Sequence, residues 1–178
     1  MRSLLRTGLM PGLLLVLALL GTGCCPGYKA YNVIVTLSDD LAQQEVAQTV
    51  QVDVIGVNAS DYVQLKNASL NQYWIDVTKP EFAKVWPRKV LTFGGGREQR
   101  VDKNDPIWND WKKDGRYVFV LSNTPARATD QPGDADPRRK IFPLDACQWP
   151  GGTDDIRLKV TSGGLRTLTP PKDRWQVP

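Results

Sequence analysis

Short segments in which apolar and polar residues alternate recur along this chain. A period of two is typical of strands that bury one face and expose the other. The pattern occurs at residues 33–38, 50–54 and 156–161. After the last of these, a Ser-Gly-Gly turn leads into residues 165–168, which predicts a closing hairpin.

One segment is apolar at every position. Residues 117–121 have the sequence Tyr-Val-Phe-Val-Leu, which favours a central strand buried on both faces. Further strands are predicted at residues 74–77 and 89–93, and residues 97–101 are predicted to return from the latter as its hairpin partner. Seven or eight short strands predict an all-β fold, a β-sandwich of the transthyretin-like or immunoglobulin-like kind with short added helices.

The helical signals are short. Asp105 precedes a proline, an arrangement typical of a helix start. Trp108 and Trp111 lie on one face of that helix, so both are expected to pack it onto the sandwich, and Gly115 is placed to end it. Two other short helices are predicted, one at residues 61–66 with Ser60 as its cap and one at residues 78–86.

The longest apolar run lies near the start of the chain. Arg2 and Arg6 precede an uncharged run at residues 13–20, and small residues follow it. This order is typical of a secretory signal peptide, since a transmembrane helix needs a run of about 20 apolar residues. Cys24 comes next, which resembles a bacterial lipoprotein signal, whose cysteine is lipidated and becomes the first mature residue. The alternative is an ordinary secreted protein in which Cys24 and Cys25 are thiols.

These signals divide the chain into four parts. Residues 1–23 are predicted to be the lipoprotein signal peptide and residues 24–32 the lipidated tether. Residues 33–169 are predicted to form the sandwich, and residues 170–178 a loosely ordered tail. A cysteine rather than an aspartate follows Cys24, and in families that sort by this position that favours the outer membrane.

The charge gives no support for nucleic-acid binding. The full chain has 23 basic and 19 acidic residues. Residues 1–23 hold two of the arginines, so the remaining 155 residues have a formal net charge of +2. A nucleic-acid-binding surface is expected to show a clustered basic patch instead.

The chain contains no histidine. This excludes the nucleophile systems that use histidine as a base and the usual histidine-containing zinc sites. The aspartates lie in predicted turns, where this residue is common for structural reasons. The sequence therefore predicts no catalytic residue, no metal site and no cofactor, and the enzymatic alternative is a hydrolase with two carboxylates in one cleft.

Three cysteines are present. If Cys24 carries lipid, Cys25 and Cys147 remain, and in an oxidising compartment these two can form a disulfide. Such a bond would tie the lipidated end to the body of the domain. The alternative is a buried free thiol at Cys147 and an exposed one at Cys25.

The six tryptophans suggest a second kind of function. Trp149 and Trp175 lie near prolines in predicted loops, so we expect these two to be the surface aromatics. Exposed aromatic rings bind sugars and also anchor protein interfaces. The alternative function is therefore a surface lipoprotein that binds a glycan or another envelope polymer through its tryptophans.

The order of the predicted elements resembles the outer-membrane lipoprotein of the type VI secretion system. That family has a lipidated cysteine, a short tether and a transthyretin-like sandwich with small helical additions. The resemblance spans most of the predicted mature chain. It is carried by the first strand at residues 33–37, the second at residues 50–57, and the closing segments at residues 117–121, 139–144, 156–160 and 165–168.

The resemblance implies both a partner and a surface for it. In the family, the connection between the first two strands contacts the periplasmic part of an inner-membrane secretion component. Here that connection lacks the family's usual Leu-Asn and Gly-Arg-Pro elements and carries Asp39, Asp40, Gln43, Gln44 and Glu45 instead. The implied function is a periplasm-facing docking component, with the outer membrane and an envelope protein as its partners.

Overall fold

Eight strands in two sheets of four form the body of the part of the chain that the structure describes. The structure is a computed structural model and describes residues 27–43, 50–79, 86–94, 96–125, 135–173 and 175. The predicted all-β sandwich is confirmed. The strands are β1 (Asn32–Leu37), β2 (Gln51–Val57), β3 (Arg88–Thr92), β4 (Glu98–Val101), β5 (Tyr117–Ser122), β6 (Arg139–Pro143), β7 (Asp155–Thr161) and β8 (Gly164–Thr167).

The first strand lies inside its sheet and not at an edge. The first sheet has the order β4-β1-β7-β8, in which β1 is parallel to β7 and antiparallel to β4. The second sheet has the order β3-β2-β5-β6 and is antiparallel throughout. The central position of β5 and the β7–β8 hairpin agree with the sequence pattern.

One interpretation of the sequence is wrong at the level of pairing. β4 is not the hairpin partner of β3 but pairs with β1 in the other sheet, with Val101 opposite Val33. Phe93, just after β3, and Val101 are both buried in the core between the sheets. The chain therefore passes from the second sheet to the first between β3 and β4. The residues at both ends of this connection pack into the same core.

Alternate residues of the strands fill the space between the two sheets. Facing layers that interdigitate in this way are typical of sandwiches, and full burial of one aliphatic side chain stabilises the fold by about 1.5–3 kcal/mol. The members with no exposed surface include Val33, Val35, Val52, Val54, Val118, Val120, Ile156, Leu158 and Val160.

The two sheets also meet along one edge. Leu165 of β8 donates its N–H to the carbonyl oxygen of Pro137, just before β6, at 2.7 Å. Gly164 has a φ of +104°, and a Cβ at this position would lie 2.5 Å from the same oxygen. Because only glycine tolerates that conformation at low cost, this edge depends on Gly164.

Helices form a third layer on the outer face of the second sheet. The helices are α1 (Asp39–Ala42), α2 (Ala59–Asn67), α3 (Leu70–Asp76) and α4 (Ile107–Lys112), with one 3₁₀ helix (Ala146–Gln148). The helices α2 and α3 provide this layer. Its buried contacts join Tyr62, Leu65, Leu70 and Tyr73 to Ile55, Val57, Phe119 and Leu121.

The third layer explains two differences from the sequence pattern. The alternation at residues 50–54 predicts a half-buried strand, yet Asp53 on the outer face of β2 has no exposed surface, because α3 covers it. Residues 74–77 are predicted to form a strand, yet α3 extends to Asp76. Its start is stabilised by the hydroxyl of Ser69, which accepts a hydrogen bond from the N–H of Gln72.

The helix predicted at residues 61–66 exists but begins two residues earlier. Asn58, and not Ser60, caps α2: its side-chain oxygen accepts from the N–H of Asp61 at 2.8 Å. The hydroxyl of Ser60 donates to that same oxygen. Most of the helix predicted at residues 78–86 lies outside the described residues.

The carboxylate of Asp53 fastens α3 to β2. The hydroxyl of Tyr73 donates to it at 2.7 Å, Gln51 Nε2 donates at 2.8 Å, and Arg88 Nε lies 3.1 Å away. Burial raises the pKa of the Asp53 carboxyl, while these donors favour the ionised form. Removing one partner of such a buried group is costly, so the attachment of α3 depends on the whole set.

Arg139 fastens α2 in a comparable way. Its side chain is 1% exposed, and its guanidinium donates to the carbonyl oxygens of Lys66 and Ala68. The last carbonyls of a helix have no partner within the helix and carry partial negative charge, so a buried cation satisfies both requirements. The adjacent Arg138 pairs with Asp136 at 2.8 Å and donates to the side chain of Asn71 in α3.

The tryptophan-bearing helix α4 packs onto the sandwich as predicted. Trp108 and Trp111 are buried, and their rings meet edge to face at 4.8 Å. The indole of Trp111 donates to the carbonyl oxygen of Pro87 at 2.9 Å, and its ring lies on Gly56 of β2. A Cβ at Gly56 would lie 2.2 Å from Cγ of Trp111.

We predict that Gly56→Ala destabilises the protein by overpacking this contact. The added methyl group meets the base of a buried ring that cannot move aside, and overpacking costs typically about 1–3 kcal/mol. The measurement is the free energy of unfolding in denaturant. Gly151→Ala is the matched control, because a Cβ there meets nothing within 4 Å. Equal stabilities for the two variants would contradict the prediction.

Candidate functional site

The residues that follow the predicted lipidation site are bound to one end of the sandwich. The N–H of Lys29 donates to the carbonyl oxygen of Leu144 at 2.8 Å, and the N–H of Ala146 donates to that of Gly27 at 2.8 Å. Tyr28 and Asp145 form an antiparallel bridge between them. We call this end, formed by residues 27–30 and 144–148 with Asp154, the tether end.

An ionic contact holds the same segment from the other side. Lys29 Nζ lies 2.6 Å from Asp154, and Lys103 Nζ lies 3.0 Å from the other oxygen of that carboxylate. Hydrogen bonds from Lys29 and then from Lys103 lower the pKa of Asp154 to about 2. The sequence predicts Asp154 to be a turn residue, because nothing in it indicates that two distant lysines converge on this carboxylate.

β1 also begins at the tether end. Asn32, its first residue, donates its N–H to the carbonyl oxygen of Asp154 at 2.9 Å and its side-chain amide to Asp155 at 2.8 Å. Its side-chain oxygen accepts from the N–H of Lys103 at 2.9 Å. The segment from residue 27 to the start of β1 is therefore held against the sandwich by hydrogen bonds and an ion pair.

The 3₁₀ helix completes the tether end. Asp145 caps it by accepting from the N–H of Cys147 at 2.9 Å. Cys147 is disulfide-bonded and is not a free thiol. The other two cysteines, Cys24 and Cys25, lie outside the described residues. Lys172, in the segment predicted to be a loose tail, donates its backbone N–H to Gln148 and its Nζ to the carbonyl oxygen of Cys147, both at 2.8 Å.

Two grooves flank Tyr28 at this end. The first groove has a volume of about 260 Å³, and its lining includes Gly27, Arg116, Gln148 and Trp175. The second groove has a volume of about 420 Å³, and its lining includes Lys103, Asn109 and Lys112. The hydroxyl of Tyr28 donates to the carbonyl oxygen of Trp108 at 3.2 Å, and burial raises the pKa of Tyr28 to about 12. Tyr28 therefore contributes a neutral side chain to the lining of both grooves.

The predicted partner-binding connection begins directly after β1. Asp39, Asp40 and Gln43 are exposed, and Leu41 between them is buried, which fixes α1 on the sandwich. Asp39 pairs with Arg97 at 2.7 Å across exposed surface. Gln44 and Glu45 lie outside the described residues.

The predicted tether and the predicted partner-binding connection lie at opposite ends of β1. The strand begins at Asn32 in the tether end and ends at Leu37, which is about 17 Å away at about 3.3 Å per residue. Ser38 then donates to the carbonyl oxygen of Val160, near the opposite end of β7. We call residues 38–43 the far end. An anchor at one end would leave the other directed away from it.

The prediction for Trp149 is wrong. Its side chain is 2% exposed, its indole donates to the carbonyl oxygen of Pro143 at 2.9 Å, and its ring packs on Phe142 and Tyr31. The neighbouring proline ends the 3₁₀ turn without bringing the ring to the surface. Trp175 is partly buried and lines the first groove.

Neither a metal cluster nor a membrane span is found in the described ranges. No group of three or more Cys, Asp or Glu side chains there is arranged to hold a metal ion. Among the same residues, no helix has the length and apolar character needed to cross a membrane.

Comparison with known proteins gives structural matches. No protein-family model and no curated protein sequence matches the chain. The fold is similar to that of Serratia marcescens Lip, a membrane-bound component of the type VI secretion system, with 15% identity, a TM-score of 0.46, and coverage of 80% of this chain and 98% of that one. It is also similar to the type VI secretion lipoprotein TssJ1 from Pseudomonas aeruginosa, with 9% identity, a TM-score of 0.43, and coverage of 81% and 98%. The resemblance to this family is confirmed, and at these identities it concerns the fold alone.

We predict that Asp154 titrates with a pKa of about 2 and that the two lysines are the cause. Because the folded-state pKa lies below the ordinary value of 3.8, ionised Asp154 stabilises the fold above about pH 4, and this stabilisation is lost as the pH falls through about 2. The measurement is the carboxyl carbon chemical shift against pH. In Lys29→Gln/Lys103→Gln the midpoint is expected to return towards 3.8. An unchanged midpoint would assign the shift to another cause.

Proposed function

We propose that this chain is a lipoprotein anchored in the outer membrane by acylated Cys24, which faces the periplasm and acts as a docking component of an envelope complex of the type VI secretion kind. The signal pattern of residues 1–25 supports the anchor. The resemblance of the strand order to the type VI lipoprotein family supports the class of complex. A tri-acylated cysteine is a sufficient anchor, since one chain alone binds a membrane only marginally.

The direction of β1 is the observation that carries this proposal. Gly27 to Lys29 begin three positions after the predicted lipidated residue and are bound to the tether end. Asp39 and Asp40 are exposed at the far end. A protein held by its tether end thus presents an acidic, exposed connection to the periplasm, where a protein partner with a basic surface can reach it.

The disulfide of Cys147 fits the same arrangement. We propose Cys25 as its partner, because an acylated Cys24 has its sulfur in a thioether. The bond would join the second mature residue to the 3₁₀ helix, which already binds Gly27 through Ala146. A covalent link there would fix the anchor to the tether end more firmly than the hydrogen bonds alone.

We predict that denatured, unreduced protein extracted from membranes contains no free thiol. Cys25→Ser is expected to release one thiol, that of Cys147, and Cys147→Ser to release that of Cys25. The measurement is thiol titration together with peptide mapping without reductant. A peptide that links residues 24 and 147 would contradict both the pairing and the acylation of Cys24. A free thiol at Cys24 alone would contradict the acylation, and free thiols at Cys25 and Cys147 would contradict the pairing.

The docking function is tested by capture of partners with the full-length, membrane-extracted protein. Asp39→Lys/Asp40→Lys is expected to reduce capture of an inner-membrane secretion component by about tenfold or more, because reversed charge in a complementary interface costs several kcal/mol. Asp110→Lys/Asp114→Lys is the matched control, since both aspartates are exposed away from the far end. Mass spectrometry identifies the captured proteins and the acyl group on the amino terminus.

Each outcome of this experiment has a definite meaning. An acylated terminus with a secretion component that the far-end variant loses supports the proposal. An acylated terminus with no protein partner, together with a fluorescence change of the tryptophans on adding envelope glycans, favours the polymer-binding alternative. An unmodified terminus contradicts the proposal at its first step.

A further inference from the structure

The two grooves beside Tyr28 have no role in docking at the far end. They open at the tether end, next to the residues that follow the predicted anchor. Some charged side chains in these grooves already have a partner within the protein, and others are available to bind a ligand.

Most charged groups in the grooves are already used. Asp105 pairs with Lys89 at 2.7 Å and Lys103 pairs with Asp154, whereas Asp145, which lines the first groove, accepts from the backbone N–H of Cys147 and not from a cation among the described residues. Two cations remain, because within the described part of the chain no ion pair or side-chain hydrogen bond involves Lys112 or Arg116.

The two cations line different grooves, and Tyr28 lines both. Lys112 lines the second groove and Arg116 the first, and both side chains are exposed. The exposed acids of the same segment, Asp110 and Asp114, are not among the residues that line either groove. Each groove therefore contains one cation without an ion-pair partner among the described residues, and the first groove is also lined by Asp145 and Trp175.

The position of the anchor places these charges near a bilayer. This step rests on the acylation of Cys24 in the proposed function. Three peptide units separate Cys24 from Gly27 and span at most about 11 Å when fully extended. The headgroup layer is several ångströms thick on each side of the hydrocarbon. The tether end is thus held at the level of the headgroups, whose phosphates are the nearest anions.

We propose that the tether end is a phospholipid-binding surface, on which Lys112 and Arg116 bind headgroup phosphates, each in its own groove. Trp175 adds an amphipathic ring of the type that is enriched at membrane interfaces. Arginine suits phosphate because its planar fork can donate two hydrogen bonds, and lysine acts as a point charge. The surface sets the orientation of the sandwich, while the lipid supplies the attachment.

The test is hydrogen–deuterium exchange of the full-length lipidated protein, detected by mass spectrometry. The protein is compared in neutral detergent, in phosphatidylcholine vesicles, and in vesicles of phosphatidylcholine mixed with phosphatidylglycerol. We expect several-fold slower exchange for peptides that cover residues 102–116 in the mixed vesicles. Residues 38–43 at the far end are expected to exchange equally in all three. Added salt is expected to remove part of the protection.

Two charge-reversed variants separate the role of these residues from a general effect of charge. Lys112→Glu/Arg116→Glu is expected to lose the protection and to remain acylated and folded. Lys159→Glu/Arg166→Glu is the matched control, because these residues face each other across β7 and β8, away from the grooves. Protection that survives Lys112→Glu/Arg116→Glu would overturn the assignment of the two residues.

The same digest reports the state of the amino terminus, so the two proposals can fail separately. An acylated terminus with equal exchange in detergent and in both vesicles would overturn the phospholipid-binding surface and leave the anchor intact. An unacylated terminus would overturn the proposed function and this inference with it. Protection of residues 38–43 by vesicles in place of residues 102–116 would show that the opposite end meets the membrane.

Discussion

The position of β1 between two other strands is the constraint on which the arrangement of the protein depends. Its neighbours β4 and β7 fix it on both sides, so the direction in which it crosses the sheet cannot change without breaking the first sheet. Asn32 fixes its start and Leu41 fixes the turn after its end. Anything attached before β1 and anything presented after it are therefore held at opposite ends of one rigid strand.

The helical layer imposes a second constraint, because it buries the outer face of β2 and β5 as well as the inner one. When both faces of a sheet are covered, the polar groups that attach the helices cannot bind water and need partners within the protein. Asp53 and Arg139 meet this requirement through buried contacts with both the sheet and the helices. Such groups add little net stability over apolar ones, but they specify where α2 and α3 sit.

Local periodicity was sufficient for the elements whose burial follows from their own residues. The alternation of β1 and β7, the apolar run of β5 and the tryptophan pair of α4 all predicted the observed structure. Local periodicity failed where contacts with a distant element determine the conformation, pairing or burial of a segment. Residues 74–76 are helical because Tyr73 reaches Asp53, β4 joins β1 because Val101 belongs to the shared core, and Trp149 is buried by Phe142. The convergence of Lys29 and Lys103 on Asp154 is equally invisible in sequence.

The contact between β8 and the residue before β6 has a consequence for how copies of this chain behave beside one another. An uncovered strand edge is a template for unwanted pairing between copies of a protein. Leu165 already gives its N–H to Pro137, so this part of the edge offers no donor to a neighbouring copy. Gly164, which permits that contact, thereby helps to keep this part of the edge from pairing with a second copy.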